Sequence, residues 1–213
     1  MGLPVSGPAP EPGFTWTGIY AGVNVGDGWS KPRVHFSNGS TIDFGTIQGV
    51  IGGGQVGANW QFGRIVLGIE ADVDGSSQSK SATATIPVGI YNVSGEIDKP
   101  WFSTFRGRVG WAVADRWLVY ATGGGSWLDR KSTFTFSTAG FSASSGFEVS
   151  HIGWAAGGGV EGALTRNWSW KIEYLYLQTE KFVTTINWFG NPLLHHDQLG
   201  ESVARIGVNY RIY

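Results

Sequence analysis

Between residues 17 and 27 the chain alternates at every position. Thr17, Ile19, Ala21, Val23 and Val25 form one set, and Gly18, Tyr20, Gly22, Asn24 and Gly26 form the other. A period of two belongs to a strand whose faces meet different surroundings. The pattern returns at residues 50–60, 65–73, 101–113, 117–127, 154–164, 168–176 and 204–212. Eight strands are expected, and no segment carries the period of an amphipathic helix.

The two sets say which face is outside. In a water-soluble barrel the apolar set points inward and charge points to solvent. Here the polar set alternates glycine with charge: Gly68, Glu70 and Asp72; Arg106, Arg108 and Gly110; Lys171 and Glu173; Arg205 and Gly207. Such residues suit a narrow interior. The other set holds Leu67, Ile69, Phe105, Val109, Trp111, Trp170, Ile172 and Tyr174, large apolar groups suited to lipid. The pattern predicts an all-β protein, an eight-stranded antiparallel up-and-down transmembrane β-barrel. Composition agrees: 34 of 213 residues are glycine and only 15% are charged, against about 25% in soluble domains. A net charge of -1 provides no footprint for nucleic acid. The absence of cysteine excludes disulfides, thiolate metal sites and a thiol nucleophile.

Connector lengths alternate too. Residues 61–64, 114–116 and 165–167 are short turns, whereas 30–46, 76–100, 128–150 and 178–200 are long, which places turns at one barrel end and loops at the other. Tryptophans mark strand ends: Trp16, Trp60, Trp117 and Trp168 on the turn side, Trp29, Trp101, Trp127 and Trp154 on the loop side. Indoles favour the headgroup level, so these are expected to form two girdles. Residues 1–14, with four of the eight prolines, form an extended tail preceding a barrel at 15–213. The N-terminus lacks the charged and apolar regions of a secretory signal and reads as a mature sequence whose leader has been removed.

The segments WTGIYAGVNVGDGW (16–29), GGGQVGANWQFG (52–63), IVLGIEADV (65–73), STFRGRVGWA (103–112), LVYATGGG (118–125), WKIEYLYL (170–177) and ARIGVNYRIY (204–213) resemble the small outer-membrane β-barrel proteins of α-proteobacteria. That family includes Brucella surface antigens and Bartonella hemin-binding proteins. The resemblance implies a location in the bacterial outer membrane, a cleaved secretory signal and insertion by the barrel assembly machinery. Such chains usually end on an outward aromatic after Tyr-Arg. Here Tyr210 and Arg211 are followed by Ile212 and Tyr213, which implies an assembly signal shifted by one residue or bound less well.

Other motifs have plainer explanations. GGGQVG (52–57) and GGGVEG (157–162) match a dinucleotide fingerprint, but strand alternation continues where a helix would have to open. Glu70, Asp72, Glu161 and Glu173 alternate with Arg106, Arg108, Lys171 and Arg205 on the interior set. Four acids facing four bases point to an ion-pair plug, with Arg106 and Arg108 pairing Glu70 and Asp72, ahead of acid–base catalysis. His35, His151, His195 and His196 fall in or beside long loops. Adjacent histidines could share one ligand only in a turn, so His195 and His196 are a weak ligand pair. No metal site or cofactor is expected, haem being the one possibility that the resemblance keeps open.

Three roles follow from these observations. The first is a non-enzymatic structural protein of the bacterial surface, monomeric, embedded in the lipid bilayer, whose long loops meet lipopolysaccharide, host surfaces or ligands. The second is a small pore, disfavoured because eight strands leave an interior filled by side chains. The third is a soluble lipocalin-like barrel, contradicted by the polarity of the faces.

Overall fold

A computed structural model describes residues 14–212 apart from 32, 37–40, 44, 87–90, 139–140, 180–181, 189–190 and 198–199. The expected tail, except Phe14, and Tyr213 lie outside the described residues. Eight antiparallel strands close on themselves: β1 (Gly18–Ser30), β4 (Ile47–Phe62), β5 (Ile65–Ile86), β6 (Tyr91–Ala114), β7 (Trp117–Thr138), β8 (Phe141–Ala163), β9 (Trp168–Thr179) and β12 (Gly200–Arg211). The short strands β2 (Arg33–Phe36), β3 (Thr41–Asp43), β10 (Phe182–Trp188) and β11 (Asn191–Asp197) form a separate four-stranded sheet in the order β10-β11-β2-β3. None of the described residues is helical.

Closure depends on β1, which pairs with β4 from Gly18↔Asn59 to Ser30↔Ile47 and with β12 from Tyr20↔Arg211 to Ser30↔Glu201. With β12 hydrogen-bonded to both β1 and β9, no edge is left open in the closed part of the wall, which is what lipid demands of a β-structure. The β4–β5 turn is tight enough that Gly63 takes a φ of 63°, a left-handed conformation glycine adopts without steric cost.

The polarity is inverted as the alternation predicts. Val23 and Val25 of β1, Leu67, Ile69 and Val73 of β5, Phe105, Val109 and Trp111 of β6 and Ile206 and Tyr210 of β12 are exposed on the outer wall. Their neighbours Asn24, Glu70, Asp72, Arg106, Arg108, Arg205 and Asn209 are buried in the lumen.

Two expectations are corrected. The connectors at 76–100 and 128–150 are mostly strand. β5 and β6 stay paired from Ile65↔Trp111 to Ile86↔Tyr91 across a bulge between Gly75 and Gln78, and β7 and β8 from Trp117↔Gly162 to Thr138↔Phe141. Beyond the bilayer both faces of a strand can meet water, so the contrast that marks a spanning segment fades. The second correction is Trp16. Trp60, Trp101, Trp117, Trp127, Trp154 and Trp168 are exposed outward, and half-buried Trp29 leans on Tyr174 at 6.3 Å. Trp16 instead shares the parity of Tyr20 and Asn24 and turns inward to 3% exposure. It plugs the turn-side mouth with Val66, Ala112, Leu118 and Tyr120, and Phe14 packs edge-on against it at 5.0 Å. The ten steps from Trp117 to Trp127, at about 3.3 Å each and tilted by about 45°, rise about 23 Å. An outer-membrane barrel's apolar band is about 25 Å tall.

Candidate functional site

The chemistry of the described residues is concentrated in the lumen, because alternation delivers every second side chain of eight strands into one narrow space. Arg106 on β6 is its centre. Its Nη2 donates to Glu70 Oε1 at 2.7 Å and Asp72 Oδ2 at 2.6 Å, and its Nη1 to Glu173 Oε1 at 3.2 Å. Lys171 reaches across the lumen to Glu70 at 2.8 Å. Arg205 joins Asp72 at 2.9 Å, Asp74 at 2.7 Å and Glu173 at 2.7 Å. Thr104 donates to Asp72 Oδ2 and accepts from Arg106 Nε, both at 2.8 Å. All of these groups are buried.

Nearer the turn side, Arg108 keeps the expected ion pair with Glu70 and adds a shorter one to Glu161. It binds Glu161 at 2.8 Å and lies 3.8 Å from Glu70. Its guanidinium stacks 4.0 Å above the Tyr120 ring and donates to the Tyr20 hydroxyl, which donates in turn to Glu70 at 2.8 Å. Glu161 also accepts from Ser169 at 2.6 Å and Asn209 at 3.1 Å. Lys171 is its register partner, yet pairs with Glu70 at 2.8 Å and Glu173 at 3.9 Å.

All eight expected lumen residues belong to this network. The structure adds Asp74, Lys99 and Glu201, with Lys99 pairing Glu201 at 2.9 Å. Asp74 continues the parity of Glu70 and Asp72, and Glu201 that of Arg205, so both were legible in the alternation. Lys99 was not, because the irregularity between Asp98 and Phe102 resets the parity of β6. Apolar clusters seal both ends: the Trp16 cluster on the turn side, and Ile51, Phe102, Leu128, Ala155, Leu175, Leu177 and Val203 on the loop side. The network can hold the wall in one register and obstruct passage. Glu70 and Asp72 are each met by cations, which leaves neither placed as a general base, and both glycine-rich fingerprints lie within β4 and β8.

The histidines are distributed differently from the expected pair. His195 and His196 are consecutive residues of β11 and not of a turn, so they occupy positions of opposite strand faces. The register sets His196 opposite His35 of β2 and His195 opposite Phe36. His151 sits in β8 opposite Leu128.

Residues 3–211 match the family described as outer membrane protein beta-barrel domain. The chain is 33% identical over 215 residues to the 31 kDa outer-membrane immunogenic protein of Brucella melitensis, covering 95% of this chain and 86% of that one. It is 33% identical over 173 residues to the 22 kDa outer membrane protein of Rhizobium leguminosarum, covering 78% and 65%. Among solved structures, the outer membrane protease OmpT of Escherichia coli superposes with a TM-score of 0.54 at 10% identity, covering 94% of this chain and 99% of that one. That likeness is one of fold.

Proposed function

Because the chain belongs to the outer-membrane β-barrel domain family and resides in the bacterial outer membrane, we propose that its barrel is a closed, non-enzymatic anchor that works through the structure it raises above the outer leaflet. The observation that carries this reading is the filled lumen: a hydrogen-bonded ion-pair network between two apolar seals. The transmembrane part is built to stay shut, which favours an anchor over a small pore. Recognition falls to the outer parts of β5–β8 and to the β10-β11-β2-β3 sheet, which offer their surfaces to lipopolysaccharide, host surfaces or ligands. The name outer-membrane immunogenic protein carried by relatives fits a surface that faces outward. Insertion by the barrel assembly machinery and a monomeric state complete the reading, since a closed wall needs no second chain.

In planar bilayers the wild-type chain is expected to give no unitary current steps. Steps from the wild type would make it a pore. A ligand reading has one observation in its favour, the register that sets His196 opposite His35, and haem is the first ligand to test. Titration should shift the Soret band, with His35→Ala and His196→Ala each weakening the shift more than His195→Ala. An unshifted spectrum at about 50 µM haem, the range of a site worth about -6 kcal/mol, would remove haem from the function.

A further inference from the structure

Among the described residues, the lumen buries six acids and five bases: Glu70, Asp72, Asp74, Glu161, Glu173 and Glu201 against Lys99, Arg106, Arg108, Lys171 and Arg205. A buried excess charge is costly unless something compensates it. Seven buried side-chain oxygens among the described residues have no hydrogen-bond partner, and three of them, at neighbouring positions, show where the compensation belongs. Asp72 Oδ1, Asp74 Oδ1 and Asn24 Oδ1 have no hydrogen-bond partner, although their residues are only 3%, 0% and 7% exposed.

These residues adjoin. Asn24 of β1 and Asp74 of β5 both stand opposite Gly53 of β4, and Asp72 lies one pleat away on the same face. Gly53 leaves the room they occupy, since a Cβ there would sit 2.5 Å from Asp74 Oδ1. Nearby donors are already committed to other atoms. Arg205 is spent on Asp74 Oδ2, Asp72 Oδ2 and Glu173, Arg106 Nη2 on Asp72 Oδ2, and Asn24 Nδ2 on Gln55.

We propose that Asp72, Asp74 and Asn24 hold one hard monovalent cation of sodium's class inside the lumen, at the loop-side edge of the ion-pair network. Oxygen-only ligands select hard cations over transition metals. A single positive charge brings the buried sum to zero, whereas a divalent ion would overshoot it. Among the described residues no group of three or more His, Cys, Asp or Glu is placed to hold a metal ion, so the carboxylate-rich cage of a divalent site is missing.

The test uses the full chain folded in detergent micelles at fixed pH and ionic strength, with N-methyl-D-glucamine chloride replaced stepwise by sodium chloride. A ligand that binds only the folded state raises stability saturably, so the unfolding temperature, read from gel mobility, should climb by several degrees and level off. Asp74→Asn keeps the shape, leaves five acids facing five bases and should lose the sodium response. Glu201→Gln combined with Lys99→Gln, which removes one acid and one base paired with each other elsewhere and leaves the buried sum unchanged, should retain it. No sodium response in the wild type, or an undiminished response in Asp74→Asn, overturns the proposal. So does stabilisation by acid without sodium, which would mean a proton shared between the two carboxyls. Should Asp74→Asn fail to fold, crystals of the wild type grown in a thallium(I) salt decide: an anomalous peak among the three oxygens upholds the site and its absence refutes it.

Discussion

Arg106 concentrates the residue-scale physics of the lumen. It binds three carboxylates and has no exposed surface. Removing it strands buried charge at a cost of about 3–5 kcal/mol in a dry site. Arg106→Ala should therefore unfold at much lower urea in detergent, while Arg64→Ala in an exposed turn should be nearly silent; equal effects would refute the plug. Gly53 is constrained by space, since a Cβ would lie 2.0 Å from the Val73 carbonyl oxygen. Gly53→Ala must push β4 away from β5 and should lower stability by more than Gly63→Ala, which, with nothing within 4 Å of the new Cβ, costs only its left-handed backbone, about 1–2 kcal/mol. Chemical-denaturation curves of the two variants decide it. Which residues enter the lumen was legible in the sequence because parity alone decides it. Which partner each one takes was not. Lys171 bypasses Glu161 for Glu70 because long side chains cross the lumen, and sequence neighbourhood does not encode that reach.

At the scale of strands, the spanning cores were legible and their ends were not. Lipid imposes an apolar outer set, so residues 65–73 announce themselves. Once β5 passes the girdle, Ser79 to Ile86 obey no such constraint, yet they remain paired with β6. Trp16 taught the opposite lesson: residue type suggested a girdle, while its alternation with Tyr20 and Asn24 already pointed inward. The outer extension is held by its own ladder, and the barrel's closure uses other pairings. Replacing residues 79–98 by a two-residue Asn-Gly turn, a favoured hairpin connection, should accordingly leave a barrel that folds in detergent. A folded band that shifts on boiling would confirm it, and loss of that band would show that the extension is needed for closure.

At the scale of the whole molecule, a closed wall of interstrand hydrogen bonds predicts that the folded chain resists sodium dodecyl sulfate until boiled and runs anomalously on a gel; identical mobility before and after boiling would count against closure. Brominated lipids should quench most of the tryptophan fluorescence through the outward indoles, and Trp16→Phe should leave the quenched fraction of the remainder unchanged or slightly higher. The alternation also bears on when the protein acquires its taste for lipid. Its lipid-facing surface is dispersed along the chain one residue in two, and among the described residues no helix is long and apolar enough to cross a membrane. The affinity of the chain for lipid therefore comes into existence only when β1 meets β12 and the scattered half-faces become one continuous belt.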